Sequence, residues 1–180
     1  SANLIPPNFP VDFAHRPAIQ ARLAWRTQSS DTNHFEIGIS GDRGSERIAT
    51  GSIPAWARAF DLDAEYGRFG FGGEWYAGRN IGEFGGAAGG FAKSTGGYAE
   101  LRLKATETLS FNTGAGTDHL FDLRTAPASL VRNSGVYVNT IYKFTPEVQG
   151  SAEYRWLSTV PIAGDPRRNN HLDFVLAYSF

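Results

Sequence analysis

The chain has 180 residues, 41% of them hydrophobic and 13% aromatic, with a formal net charge of −1. That length suits one domain, and the near-zero charge supplies no overall basic field for nucleic acid. There is no cysteine, which excludes a disulfide framework and thiol chemistry. No apolar run approaches the ~18 residues a transmembrane helix needs, so a membrane-spanning chain of this kind crosses with strands.

The first ten residues, SANLIPPNFP, lack the basic start and apolar core of a secretion signal. The chain has no Met, even at position 1, so a processed or truncated polypeptide is expected. From residue 18 onward the dominant pattern is strict alternation, the signature of strands with two unlike faces. Ile19, Ala21, Leu23 and Trp25 oppose Gln20, Arg22, Ala24 and Arg26. Phe35, Ile37 and Ile39 oppose His34, Glu36 and Ser40, and Phe60, Leu62, Ala64 and Tyr66 oppose Asp61, Asp63 and Glu65. Phe69, Phe71, Trp75 and Ala77 oppose Gly70, Gly72, Glu74 and Tyr76. Ala99, Leu101 and Leu103 oppose Tyr98, Glu100, Arg102 and Lys104, and Leu109, Phe111 and Ala115 oppose Ser110, Asn112 and Gly114. Val136, Val138 and Tyr142 oppose Tyr137, Asn139, Ile141 and Lys143, the most ambiguous segment. Val148, Ala152, Tyr154 and Trp156 oppose Gln149, Ser151, Glu153 and Arg155. Last, Leu172, Phe174, Leu176, Tyr178 and Phe180 oppose His171, Asp173, Val175, Ala177 and Ser179.

The pattern predicts about nine strands, each near the ~9–11 residues of a tilted transmembrane strand. The prolines are expected between strands or at a strand start, where no ladder hydrogen bond is lost. Connections are predicted to alternate in length. Gln28–Asn33, Gly67–Arg68, Ala105–Glu107 and Thr145–Pro146 are short; Gly41–Ala57, Asn80–Ser94, Asp118–Asn133 and Ser158–Asn170 are long. Short turns on one side and long loops on the other characterise transmembrane barrels. The expected fold is therefore an all-β, antiparallel, up-and-down transmembrane β-barrel, with residues 1–180 forming one barrel domain. Strand parity places residues 1–16 in an extracellular loop and the chain end in the periplasm. It thus predicts the C-terminal part of a larger barrel, short of at least seven strands by rough count.

Charges on nearly every polar face point that face toward water and the apolar face toward lipid. Trp25, Tyr66, Phe69, Tyr142, Tyr178 and Phe180 toward the turns, and Trp75, Tyr154 and Trp156 toward the loops, are expected to form two interfacial girdles. Gly73, Gly97, Ala99 and Gly150 on the apolar face suit a close subunit contact or bends in the barrel.

The terminal alternation Leu172, Phe174, Leu176, Tyr178, Phe180 resembles the signal that outer-membrane barrels present to their assembly machinery; an edge strand with an apolar face can pair with a template. The stretches RPAIQARLAW (16–25), GEWYAGRNIGEFGG (73–86), STGGYAELRLKATETLSFNTGAG (94–116) and SGVYVNTIYKFTPEVQGSAEYRW (134–156) resemble bacterial outer-membrane porins of the DcaP-like type. The resemblance covers most of residues 16–180. It implies a barrel of about sixteen or more strands, a homotrimer in the outer membrane of a Gram-negative bacterium, and passage of small anionic or polar solutes.

The candidate pore-lining residues are Arg22, Arg26, Glu36, Asp61, Asp63, Glu65, Glu74, Glu100, Arg102, Lys104, Lys143, Glu153, Arg155 and Asp173. Opposed charges in a narrow wet lumen set ion selectivity. The plainer role for each is a salt bridge bracing the wall. Asp61, Asp63 and Glu65 share one face within ~14 Å, so they need cations or arginines opposite. GGAAGGFAKST (85–95) fails the phosphate-loop pattern because Ala92 precedes Lys93. The four histidines have no metal-ligand spacing, so no metal or cofactor is expected. Asp118, His119 and Ser129 lack a strained nucleophile elbow, and no enzyme activity is expected. Two other classes compete with the pore: a structural or anchoring barrel subunit, and a soluble ligand-binding barrel. Their discriminators are ion conductance and detergent requirement.

Overall fold

A computed structural model describes residues 18–30, 33–48, 51–81, 92–121, 130–161 and 163–179, with backbone only for 46–48, 51 and 130. Nine strands follow the alternating segments: β1 (Ile19–Ser30), β2 (Asn33–Ile48), β3 (Gly51–Tyr66), β4 (Phe69–Arg79), β5 (Lys93–Lys104), β6 (Leu109–Phe121), β7 (Leu130–Lys143), β8 (Val148–Pro161) and β9 (Arg167–Tyr178). They form one antiparallel sheet in sequence order, each strand paired with the next. Among the described residues β1 and β9 do not pair, and both edges stand open. Among the described residues no helix is long and apolar enough to cross a membrane.

The turns explain the hairpins locally. β3 and β4 are joined by Gly67–Arg68, with Gly67 at φ +58°, the left-handed first position that a two-residue II′ hairpin assigns to glycine. Asn33 Oδ1 accepts from the Gly67 amide at 2.8 Å, tying the neighbouring turn to it. The β5–β6 turn is closed by Thr106, whose Oγ1 accepts from the amides of Thr108 and Leu109 at 3.2 and 3.0 Å. Thr145 repeats the device between β7 and β8, accepting from Glu147 and Val148 at 3.2 and 3.1 Å. Side-chain acceptors of this kind satisfy amides that no ladder reaches.

The opposite end departs from expectation, most of all at the first connection. The predicted loop Gly41–Ala57 is strand for most of its length: β2 pairs with β3 continuously from Asn33↔Tyr66 to Ile48↔Gly51. Pro54 thus lies inside β3, opposite Ser45, and Pro161 is the last residue of β8. Upstream of Trp56, β3 has no described β4 partner. Among the described residues one side of its backbone is an edge there, and an edge tolerates a missing N–H. The later connections shorten as well, because β6 runs on to Phe121, β8 to Pro161, and β9 starts at Arg167. Pro146 and Pro166 fall outside strands as expected; Pro6, Pro7, Pro10, Pro17 and Pro127 lie outside the described residues.

The faces separate as the alternation demands. On the apolar face Leu101, Phe111, Phe174 and Leu176 are 58, 45, 74 and 75% exposed. The few fully buried apolar side chains, Ile53, Ala55, Ile81, Ala92 and Leu120, gather at the loop end, with Ala57 and Tyr76 packed against the last three. The sheet has no large dry core of its own.

Candidate functional site

Parity and register place all fourteen candidate pore-lining residues on the face opposite the exposed apolar one. Eleven of them are drawn into ion pairs, and Lys143 of β7 stands opposite Gln149 of β8. Arg22 of β1 binds Glu36 of β2 at 2.7 Å and Asp61 of β3 at 2.6 Å, and Arg26 approaches Glu36 at 3.7 Å. Asp63 of β3 is shared by Arg102 of β5 and His34 of β2, the latter at 2.5 Å. Lys104 reaches Glu65 at 3.2 Å, and Arg102 also lies 3.8 Å from Glu100. Glu100 accepts the Tyr137 hydroxyl, Asn112 donates to Asn139 at 2.7 Å, and Asn139 donates to Glu153 at 3.3 Å. Arg155 pairs with Glu153 within β8. The result is a polar belt from β1 to β8. Asp173 of β9 follows in register opposite Glu153, and Glu74 stands between Asp61 and Tyr98.

The acidic triplet finds the cations its spacing demands. Asp61 has Arg22, Asp63 has Arg102, and Glu65 has Lys104, with the His34 ring as a further hydrogen-bonding partner of Asp63. Among the described residues no cluster of His, Cys, Asp or Glu is arranged to hold a metal ion. Most of the paired carboxylates are only about a quarter exposed (Glu36 22%, Asp61 23%, Glu65 20%, Glu153 21%), while Asp63 is 42% exposed. Pairs this open to solvent are screened and contribute little to stability. Their larger effect is on the potential next to the wall.

A recurring geometry explains how these side chains meet. Partners sit two strands apart, and the strand between them offers a glycine. Arg22 and Asp61 meet over Gly38 of β2, where a Cβ would lie 2.8 Å from Arg22 Nη2 and 2.6 Å from Asp61 Oδ1. Arg102 crosses Gly70 and Gly72 of β4 to reach Asp63; a Cβ on Gly70 would lie 2.8 Å from Arg102 Nε. Tyr137 lies over Gly114 of β6 on its way to Glu100. Tyr76 lies over Gly96 of β5 and hydrogen-bonds Asp118 of β6.

Charge alone identified fourteen residues but missed His34, Tyr76, Tyr98, Asn112, Tyr137 and Asn139. All share the parity of the charged set, and parity would have found them. Asp118 and His119 are adjacent in one strand and so face opposite sides; no Asp–His couple forms. Ser129, residues 1–16, most of 85–95, and Phe180 lie outside the described residues.

On the apolar face, Leu172, Phe174, Leu176 and Tyr178 are 62–75% exposed along the open edge strand β9. Tyr66, Phe69, Tyr142 and Tyr178 lie at the turn end, but Trp25, Trp75 and Tyr154 lie mid-strand. The loop-end aromatic girdle is correspondingly thin. Gly150 is explained locally, since the Phe144 ring covers it and meets Tyr142 edge-on at 5.0 Å.

No protein-family profile and no curated protein matches the chain. Among solved structures, the outer membrane channel DcaP of Acinetobacter baumannii is similar in fold, with a TM-score of 0.77 and 13% sequence identity. The similarity covers 93% of this chain and 52% of that one, so the chain spans about half the length of the channel it resembles. At this identity the likeness is one of fold: nine up-and-down antiparallel strands arranged as in an outer-membrane β-barrel channel.

Proposed function

We propose that this chain forms part of a porin in the outer membrane of a Gram-negative bacterium, one that lets small hydrophilic solutes, anions among them, diffuse passively. The observation that carries the reading is the division of the faces. Large apolar side chains such as Phe174 and Leu176 are three-quarters exposed, while charged ones on the other face fold onto each other. Exposed apolar surface of that extent is stable against acyl chains and unstable in water. The paired charges then look into an aqueous lumen, where alternating Arg, Lys, Asp and Glu set a local field on passing ions.

The open edges at β1 and β9 fit a sheet that further strands complete into a closed barrel, and the half-length match to a channel supports this. We place the assembly signal on Leu172, Phe174, Leu176, Tyr178 and Phe180, and a trimer contact on the small-residue patch around Gly73, Gly97 and Ala99. The role is transport rather than catalysis, without metal or cofactor. The test is reconstitution of the full-length protein into planar bilayers. Stepwise conductance and uptake of small sugars or carboxylates are the expected results; detergent-independent solubility or a silent bilayer would refute a pore.

A further inference from the structure

All Asp and Glu residues whose side chains are described within the strands lie on the charged face, and the apolar face carries none. Cations do occur on the apolar face, at one end only. Arg43, Arg58, Arg79, Lys93, Arg132 and Arg168 lie there, on six of the nine strands, toward the loops. The register aligns several of them: Arg43 opposes Trp56, Trp56 opposes Arg79, and Arg79 opposes Lys93. Arg58 lies with its guanidinium 5.7 Å from the Trp56 ring. Arg43, Arg58, Arg132 and Arg168 are exposed. At the turn end of this face the strands carry Tyr66, Phe69, Tyr142 and Tyr178 instead, and no cation.

The spacing matches one leaflet boundary. Ten residues separate Phe69 from Arg79 along β4. At ~3.3 Å per residue and a tilt of ~40° this spans roughly 25 Å along the barrel axis, the height of the apolar band of an outer-membrane barrel. The cations therefore lie where the acyl chains end and the headgroups begin. Guanidinium groups bind phosphate oxygens in pairs, and neighbouring cations can share one anion.

Resting on the barrel reading above, we propose that this belt binds the phosphate-bearing headgroups of the lipids around the loop end of the barrel. It ties the protein to the leaflet on that side and fixes its depth. The occupant is membrane lipid, because the exposed cations Arg43, Arg58, Arg132 and Arg168 sit above exposed apolar side chains of their own strands, Ile39, Phe60, Val138 and Leu172, that acyl chains would cover.

The test uses the full-length protein in nanodiscs of phosphatidylcholine containing a minority of a phosphomonoester lipid. Retained lipid is counted by native mass spectrometry after exchange into detergent. The wild type is expected to retain the phosphomonoester lipid. A variant carrying Arg43→Gln, Arg58→Gln, Arg132→Gln and Arg168→Gln is expected to retain it roughly tenfold less or weaker still, with unchanged channel conductance. Lysine at the same four positions should restore most of the retention. Equal retention by wild type and glutamine variant overturns the proposal, as does full displacement by millimolar inorganic phosphate, which would mark a general anion surface. Failure of the wild type to insert at all overturns the barrel reading as well.

Discussion

Arg102 of β5 meets Asp63 of β3 across a strand to which neither belongs, passing over Gly70 and Gly72 of β4. The contact exists because β4 presents two hydrogen atoms where side chains would otherwise stand. Arg22 and Asp61 over Gly38, and Tyr137 and Glu100 over Gly114, repeat the arrangement.

Filling such a gap should therefore be costly. Gly38→Val places methyl groups where Arg22 and Asp61 already lie, and Gly114→Val does the same under Tyr137. Each is expected to destabilise the folded barrel by about 1–3 kcal/mol. Gly41→Ala is the control, since its Cβ would meet only the Ala57 carbonyl at 3.8 Å. Urea unfolding in lipid vesicles measures all three.

Faces can be tested by exchanging neighbours. Leu101→Arg puts a charge among acyl chains and is expected to cost about 2–4 kcal/mol of insertion free energy near midplane. Arg102→Leu should still fold, because a partly exposed pair contributes only ~0–1 kcal/mol. It leaves the His34 ring as the remaining side-chain partner of Asp63, so reversal potentials should shift toward cation preference. Normal insertion of Leu101→Arg together with loss of folding in Arg102→Leu would invert the assigned faces.

Tyr137→Phe releases the Glu100 carboxylate from its hydroxyl donor. A double-mutant cycle with Glu100→Gln is expected to give a coupling of ~1 kcal/mol. Zero coupling would mean the two groups do not interact in the membrane.

The turns offer a smaller effect outside the strand ladders. Thr106→Ala and Thr145→Ala each strand two amides at a solvent-exposed turn. Losses of about 0.5–1.5 kcal/mol are expected, visible as a lower urea midpoint with unaltered conductance. Thr→Ser should retain most of the stability.

Strand number, strand order and the division of faces were legible in the sequence, because period-2 alternation states them directly. The β2–β3 extension was not. Gly41, Gly44, Gly51 and Pro54 read as loop by local propensity, yet pairing within one long hairpin overrides it. Which charges would meet was equally hidden. Arg102 and Asp63 are thirty-nine positions apart, and their contact depends on register and on the glycines between them. His34 and Tyr137 escaped because neither carries a full charge at neutral pH as a free side chain.

Alternation alone leaves one ambiguity in any barrel wall. A strand displaced by two positions keeps every greasy side chain outside and every polar one inside. The glycine crossings remove that freedom. A shift of β4 by two residues relative to β3 and β5 would put Glu74 or Arg68 in place of one of the two glycines under the Arg102 guanidinium, and a matching shift of β2 would misalign Gly38 beneath Arg22. The same contacts that colour the lumen electrically thus act as a vernier, selecting one alignment from the set that hydrophobic patterning permits.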